Sequence, residues 1–159
     1  MKRILMLTLF VSIVCFLTSP VLADDHGDSW TSATPIIVGG VYSGILESQT
    51  DVDFFSCSLT VGVTYTVETR VEGHCDTVMD LYDTDGVTFL AQDDDGGIGY
   101  GSKMVGEVDV SGIYYIAIFP YPYRDSTGRY TISVEEERPE PEVVGGGSGG
   151  GCFIIGSRQ

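Results

Sequence analysis

Three segments of this chain alternate between two faces with a period of two. Phe55, Cys57 and Leu59 share one side of an extended run. Tyr65, Val67, Thr69 and Val71 share one side of the next, and Tyr114, Ile116 and Ile118 repeat the pattern later. On a β-strand successive side chains point to opposite faces, so each run reads as a strand with one buried side. No stretch carries an apolar period of 3.6 residues long enough for a long helix. β-Prone runs cover residues 36–38, 41–46, 53–59, 64–71, 77–82, 105–110, 113–119 and 130–134, separated by Gly, Asp, Ser or Pro. About eight short strands at even spacing predict an all-β protein, a jelly-roll-like antiparallel β-sandwich.

The turns are acidic. Asp83-Thr84-Asp85-Gly86 and Asp93-Asp94-Asp95-Gly96-Gly97 lie between β-prone runs, and the chain contains no Asn. Asp bonds its own backbone and Gly accepts φ > 0, so these segments read as hairpin and connection chemistry. Asp83 and Asp85 are expected to satisfy turn amides, with Gly86 in the left-handed position. A helix-flanked calcium loop needs acidic groups at alternating positions and a Glu at the twelfth. Counted from Ala91, the first ligand is missing and the twelfth residue is Ser102.

The N-terminus reads as an export signal. Lys2 and Arg3 precede an apolar run from residue 4 to 17, Ser19-Pro20 interrupts it, and Ala23 closes a Val-Leu-Ala cleavage sequence. The run is too short for a comfortable membrane span, and no second long apolar segment follows, so the mature chain is expected to have no transmembrane segment. Residues 1–23 are thus assigned to the signal, 24–136 to one β-sandwich domain and 137–159 to a tail. Loss of two positive charges with the signal takes the formal charge from −15 to −17. Such a surface repels nucleic acid and suits a secreted or cell-surface setting, extracellular or periplasmic.

Export permits disulfides. Cys57 and Cys75 both fall in the predicted folded part, and they read either as a bridged pair or as two buried free thiols. Cys152 follows a glycine-rich stretch in a tail that is Pro- and Glu-rich at its start. It marks a point of anchoring or processing in an alternative reading, that of a surface-displayed structural protein. His74-Cys75-Asp76 invites a catalytic reading, but neighbouring residues on an extended chain face opposite ways. With no nucleophile, metallopeptidase or phosphate-loop pattern, no enzyme is expected. Tyr114 and Tyr130 read as core. Phe119-Pro120-Tyr121-Pro122-Tyr123-Arg124 carries two prolines, and Tyr121, Tyr123 and Arg124 are the expected ligand contacts, because exposed Tyr and Arg favour binding hot spots.

Six landmarks occur in order. They are Asp24 to Ser29 running into Ala33-Thr34-Pro35; Asp51-Val52-Asp53-Phe54-Phe55; Asp76 to Asp83; Asp93-Asp94-Asp95-Gly96-Gly97; Ser111 to Ala117; and Gly128-Arg129-Tyr130. This series resembles the bacterial pre-peptidase C-terminal domain and covers nearly all of residues 24–135. The resemblance implies a non-catalytic β-sandwich module appended to exported proteins, with an extracellular protein or polysaccharide as partner. Calcium-binding relatives draw ligands from the segment before the first strand and from an acidic strand start. Here that implies calcium held by Asp24, Asp25, Asp28, Asp51 and Asp53. The tail's Cys152-Phe153-Ile154 is similar to a C-terminal box of bacterial exported proteins.

Overall fold

The computed structural model describes residues 24–137. The expected signal with Ala23, and the tail from residue 138 with Cys152, lie outside the described residues. After a 3-10 turn at Trp30–Ser32 come nine strands: β1 Thr34–Ile36, β2 Val41–Leu46, β3 Asp53–Leu59, β4 Thr64–Val71, β5 Thr77–Tyr82, β6 Phe89–Asp93, β7 Lys103–Glu107, β8 Gly112–Pro120 and β9 Gly128–Glu136. They form two sheets, β1-β3-β8-β5-β6 and β2-β9-β4-β7. All pairings are antiparallel except β1 with β3. The molecule is an all-β sandwich, as the alternation predicts.

Every connection between successive strands crosses from one sheet to the other, except the hairpin from β5 to β6. That hairpin is the Asp-Gly turn. Asp85 Oδ1 accepts from Val87 N at 2.9 Å and Thr88 N at 2.8 Å, and its Oδ2 accepts from the Thr88 hydroxyl at 2.6 Å. Gly86 takes φ 73° and donates to Asp83 O at 2.9 Å. The Thr88 hydroxyl and the turn amides hold the Asp85 pKa below the usual carboxylate range. The second acidic run is a crossing between sheets rather than a hairpin. Asp93 ends β6, and its Oδ2 accepts from Gly96 N at 2.9 Å and Lys103 N at 2.7 Å, tying both ends of the crossing together.

The core lies between the sheets. Phe55, Cys57 and Leu59 from β3, Tyr65 and Val67 from β4, Tyr114, Ile116 and Ile118 from β8, and Tyr130, Ile132 and Val134 from β9 all enter it. A polar tie crosses the core beside them. The hydroxyls of Thr69 on β4 and Thr77 on β5 lie 2.6 Å apart, Ser102 N donates to Thr69 Oγ1 at 2.7 Å, and Ser102 Oγ donates to Thr77 O at 2.5 Å. All three residues are buried and mutually satisfied, as buried polar groups must be.

Three strand expectations change. β1 covers Thr34–Ile36 rather than 36–38: it pairs there with β3, and Ile37 N donates to the Tyr42 hydroxyl at 3.1 Å instead of to the sheet. β6 was not foreseen: it is an edge strand whose residues are exposed or half-buried, so it lacks the alternation that marks a covered strand. β7 begins at Lys103, two residues before the expected run at 105–110, because Ser102 and Lys103 are held by Thr69 and Asp93. Val110 instead leaves the sheet, where its carbonyl accepts from Tyr114 Oη at 2.8 Å.

The bridged alternative for Cys57 and Cys75 is overturned. Both are buried free thiols. Cys57 pairs with Tyr114 on β8, whereas Thr77, just after Cys75, pairs with Pro120 at the far end of the same strand. Six residues of β8 separate the two rows, about 20 Å at the usual rise per residue. A disulfide requires Cα atoms within about 7 Å.

One close approach fixes how β2 meets β9. Gly44 pairs with Tyr130. A Cβ on Gly44 would lie 2.3 Å from Tyr130 Cζ and 2.4 Å from its hydroxyl oxygen. The ring is buried and its hydroxyl anchored, so it has little freedom to move away. Gly44→Ala is expected to cost about 1–3 kcal/mol, the usual range for overpacking. Urea denaturation of the variant checks this, and an unchanged midpoint would contradict it.

Candidate functional site

The N-terminal segment is clipped across one end of the sandwich. Gly27 O accepts from Phe54 N at 3.1 Å. His26 Nε2 lies 2.9 Å from Ser43 O, and since a carbonyl can only accept, Nε2 carries the proton. Nδ1 lies 2.9 Å from the Thr34 hydroxyl and, in the neutral ring, accepts from it. The His26 ring packs against Phe55 with centroids 4.6 Å apart. This clip brings Asp24, Asp25 and Asp28 to the loop between β2 and β3.

That loop folds on its own carboxylate. Glu47 N donates to Asp51 Oδ2 at 2.8 Å, and Asp51 N donates to Ser48 O at 3.2 Å. Carboxylate oxygens of Asp24, Asp28 and Asp51 fall within 4.8 Å of one another, and so do those of Asp24, Asp25 and Glu47. Four of the five expected calcium ligands are therefore together, joined by Glu47, which the sequence reading missed. Glu47 directly follows Leu46, the last residue of β2. Its place one residue past an acid-free strand gave no signal.

Asp53 sits beneath this rim rather than in it. It is 0% exposed, and its Oδ2 accepts from Tyr130 Oη at 2.5 Å. Its Oδ1 has no hydrogen-bond partner. Burial raises its pKa from 3.8 to about 7, against the Tyr130 hydrogen bond, with Asp51, Asp25 and Asp24 adding to the rise. Glu47 is likewise raised from 4.5 to about 7, first by burial and then by the neighbouring Asp51. Like charges brought this close favour a proton or a cation among them. The donor set is all carboxylate oxygen, which fits a hard divalent cation such as calcium.

The aromatic loop behaves differently from expectation in part. Tyr123 is 84% exposed and meets Tyr121 edge-on at 5.4 Å. Arg124 is not a free contact: its guanidinium pairs with Asp76 Oδ2 and lies 3.9 Å over the Tyr100 ring. Gln49 Nε2 donates to Arg124 O, and Gln49 Oε1 accepts from Ser126 N at 3.2 Å, so the acidic loop and the aromatic loop are joined. The His74-Cys75 pair offers little chemistry. His74 is exposed, while burial pushes the Cys75 thiol up to about 11, far from the thiolate a nucleophile needs.

No family model matches the chain, and no curated protein matches it in sequence. In three dimensions it is similar to the pre-peptidase C-terminal domain of a collagenase from Bacillus anthracis. The match has 16% identity and a TM-score of 0.54, and covers 64% of this chain and 93% of that one. It is also aligned with Aeromonas hydrophila PliG, a periplasmic inhibitor of g-type lysozyme. There the identity is 14% and the TM-score 0.49, over 66% of this chain and 97% of that one. At this identity the first likeness shows the fold alone, a β-sandwich similar to that of the collagenase domain.

The raised carboxyls set a pH dependence. A carboxyl whose pKa is raised by folding stabilises the fold while protonated. That contribution is complete below the unfolded pKa near 4 and is lost as pH climbs through about 7. In calcium-free buffer the urea midpoint is therefore expected to be higher at pH 5 than at pH 7.5. Asp53→Asn, which keeps the Tyr130 hydrogen bond without a titrating group, is expected to flatten part of that fall. A fall of the same size in Asp53→Asn would place its origin elsewhere, in the overall acidic surface.

Proposed function

We propose that this protein is an exported, non-catalytic β-sandwich module that binds an extracellular protein or polysaccharide and is stabilised by calcium at its N-terminal acidic rim. One observation carries the reading. Asp24, Asp25, Asp28, Glu47 and Asp51 converge over the buried carboxyl of Asp53, whose Oδ1 has no donor. Calcium takes six to eight oxygens at 2.3–2.6 Å, and the rim would supply them together with backbone carbonyls and water. The similarity to a collagenase's pre-peptidase C-terminal domain supports an accessory role over a catalytic one. The export signal predicted at residues 1–23 supports the extracellular or periplasmic setting, where calcium is abundant.

The ligand contact in this reading centres on Tyr123 and Tyr121, two rings held edge to face on a loop that the acidic loop braces through Gln49. Arg124 contributes by holding that loop rather than by reaching the ligand. Aromatic side chains give large contact area at low entropic cost, which suits a face that recognises an extended polymer.

Calcium bound only by the folded state at a hundredfold above its Kd adds about 2.7 kcal/mol. For a domain of this size that is roughly a 10 °C rise in Tm. Thermal melts with millimolar calcium and with chelator are expected to differ by such an amount in the wild type, and by less in Asp51→Asn. Equal melting temperatures would remove calcium from the reading. Separately, pull-down on insoluble fibrous proteins and polysaccharides is expected to retain the chain. Tyr123→Ala should weaken retention at least about fivefold, the loss of a contact of about 1 kcal/mol. Retention that does not change in Tyr123→Ala would move the binding face elsewhere.

A further inference from the structure

A second set of carboxylates stands apart from the N-terminal rim. Asp76 lies just before β5, and Asp94 and Asp95 lie in the crossing after β6. One carboxylate oxygen from each falls within 4.8 Å of the other two. Two oxygens on opposite sides of a calcium ion at about 2.4 Å are about 4.8 Å apart, so the spacing is that of ligands around one ion.

Asp76 is the informative member. Its side chain is 2% exposed. Its backbone is fixed on both sides, with Asp76 N donating to Ser126 O at 3.2 Å and Asp76 O accepting from Tyr121 N at 3.0 Å. Its Oδ2 accepts from Arg124 Nε at 2.8 Å, yet Oδ1 accepts nothing. A buried carboxylate oxygen without a donor is costly, because it has left water for no replacement. Asp94 Oδ1 is buried and equally without a partner. Loop building does not account for Asp94: the amides of Gly96 and Lys103 are taken by Asp93. Charge gives the same answer. Three carboxylates face one guanidinium, which leaves two negative charges unbalanced.

We propose that Asp76, Asp94 and Asp95 form a second divalent-cation site of the calcium type. Asp76 is its rigid floor, Asp94 its half-buried wall and Asp95 its exposed mouth, where water completes the shell. Arg124 stays on Asp76 Oδ2, stacked on Tyr100, and leaves Oδ1 to the ion. The site does not depend on the N-terminal rim, with which it shares no carboxylate.

Calorimetric titration of the full chain with calcium chloride tests this. Wild type is expected to bind two calcium ions, the double variant Asp94→Asn/Asp95→Asn to lose one, and Asp51→Asn to lose the other. A double variant that binds as many ions as wild type overturns the proposal. A wild type with one ion, lost in the double variant and kept in Asp51→Asn, supports this site and removes the N-terminal one. Asp94 and Asp95 lie in a loop and away from the core, and melting in chelator is expected to match wild type. Arg124→Gln supplies the second arm. If the carboxylates hold an ion, removing the competing guanidinium tightens calcium binding. If Arg124 is their only counter-charge, the variant melts lower and gains no affinity for calcium, which also overturns the proposal.

Discussion

A buried carboxylate under a tyrosine hydroxyl is the interaction on which much of this structure turns. Asp53 starts β3 in one sheet and Tyr130 lies on β9 in the other, so their 2.5 Å hydrogen bond joins the sheets at one end of the sandwich. The bond dictates its neighbours. Tyr130 needs Gly44 opposite it, because any Cβ there would enter the ring. Phe55, two residues along β3, meets Tyr130 edge-on at 6.5 Å and also packs against His26 at 4.6 Å. His26 in turn holds the N-terminal segment down. One polar contact thus places the segment that brings Asp24, Asp25 and Asp28 over Asp53. The acidic rim is a consequence of how the sheets are pinned.

The same contact makes that end of the molecule sensitive to what occupies it. A lone carboxylate moved out of water is unfavourable unless something replaces the lost solvation. Tyr130 supplies one hydrogen bond, and Oδ1 receives none. The nearby acids make the ionised form still harder to hold. Two species relieve this: a proton, at the cost of charge, or a cation shared with the rim. The Thr69–Thr77–Ser102 network achieves the other outcome. Its hydroxyls and amide satisfy one another with no charge and no need of a ligand. The contrast between a closed network and an open one is what sets the acidic end apart from the rest of the core.

The strands that cover the core were legible because burial imposes alternation. β3, β4, β8 and β9 each bury every second residue over most of their length, and the runs read from sequence coincide with them. β6 was illegible for the complementary reason: at a sheet edge neither face is sealed, so nothing constrains its pattern. The Asp-Gly hairpin was legible because its chemistry is local to four residues. Register is not local, and the cysteine pair shows this. Cys57 and Cys75 are close in sequence, one on β3 and the other in the connection just before β5, but how far apart they fall depends on how β3, β8 and β5 align, which no short motif states. Glu47 and the Asp76–Arg124 pair escaped for the same reason, since both become site residues only when loops from distant strands meet.

Those meetings occur at one end of the sandwich. Asp53 and Met79 both stand across from Ile118 on β8, so the start of β3 and the first residues of β5 lie in the same row of the sheet. The loop that carries Glu47 and Asp51 reaches the aromatic loop through Gln49, and the aromatic loop reaches Asp76 through Arg124. The half-buried ring of Tyr121 and the exposed ring of Tyr123 therefore lie on a loop that is fastened to both acidic clusters. In the proposed reading a cation in either cluster does more than add stability. It neutralises repulsion in a loop that braces the rings, so the aromatic face would be better ordered with the ion than without it. A ligand that needs the rings fixed would then bind more tightly in calcium, and by linkage would make calcium bind more tightly in return. The sandwich supplies the rigid floor for this coupling, and the loops at its acidic end supply the part that changes.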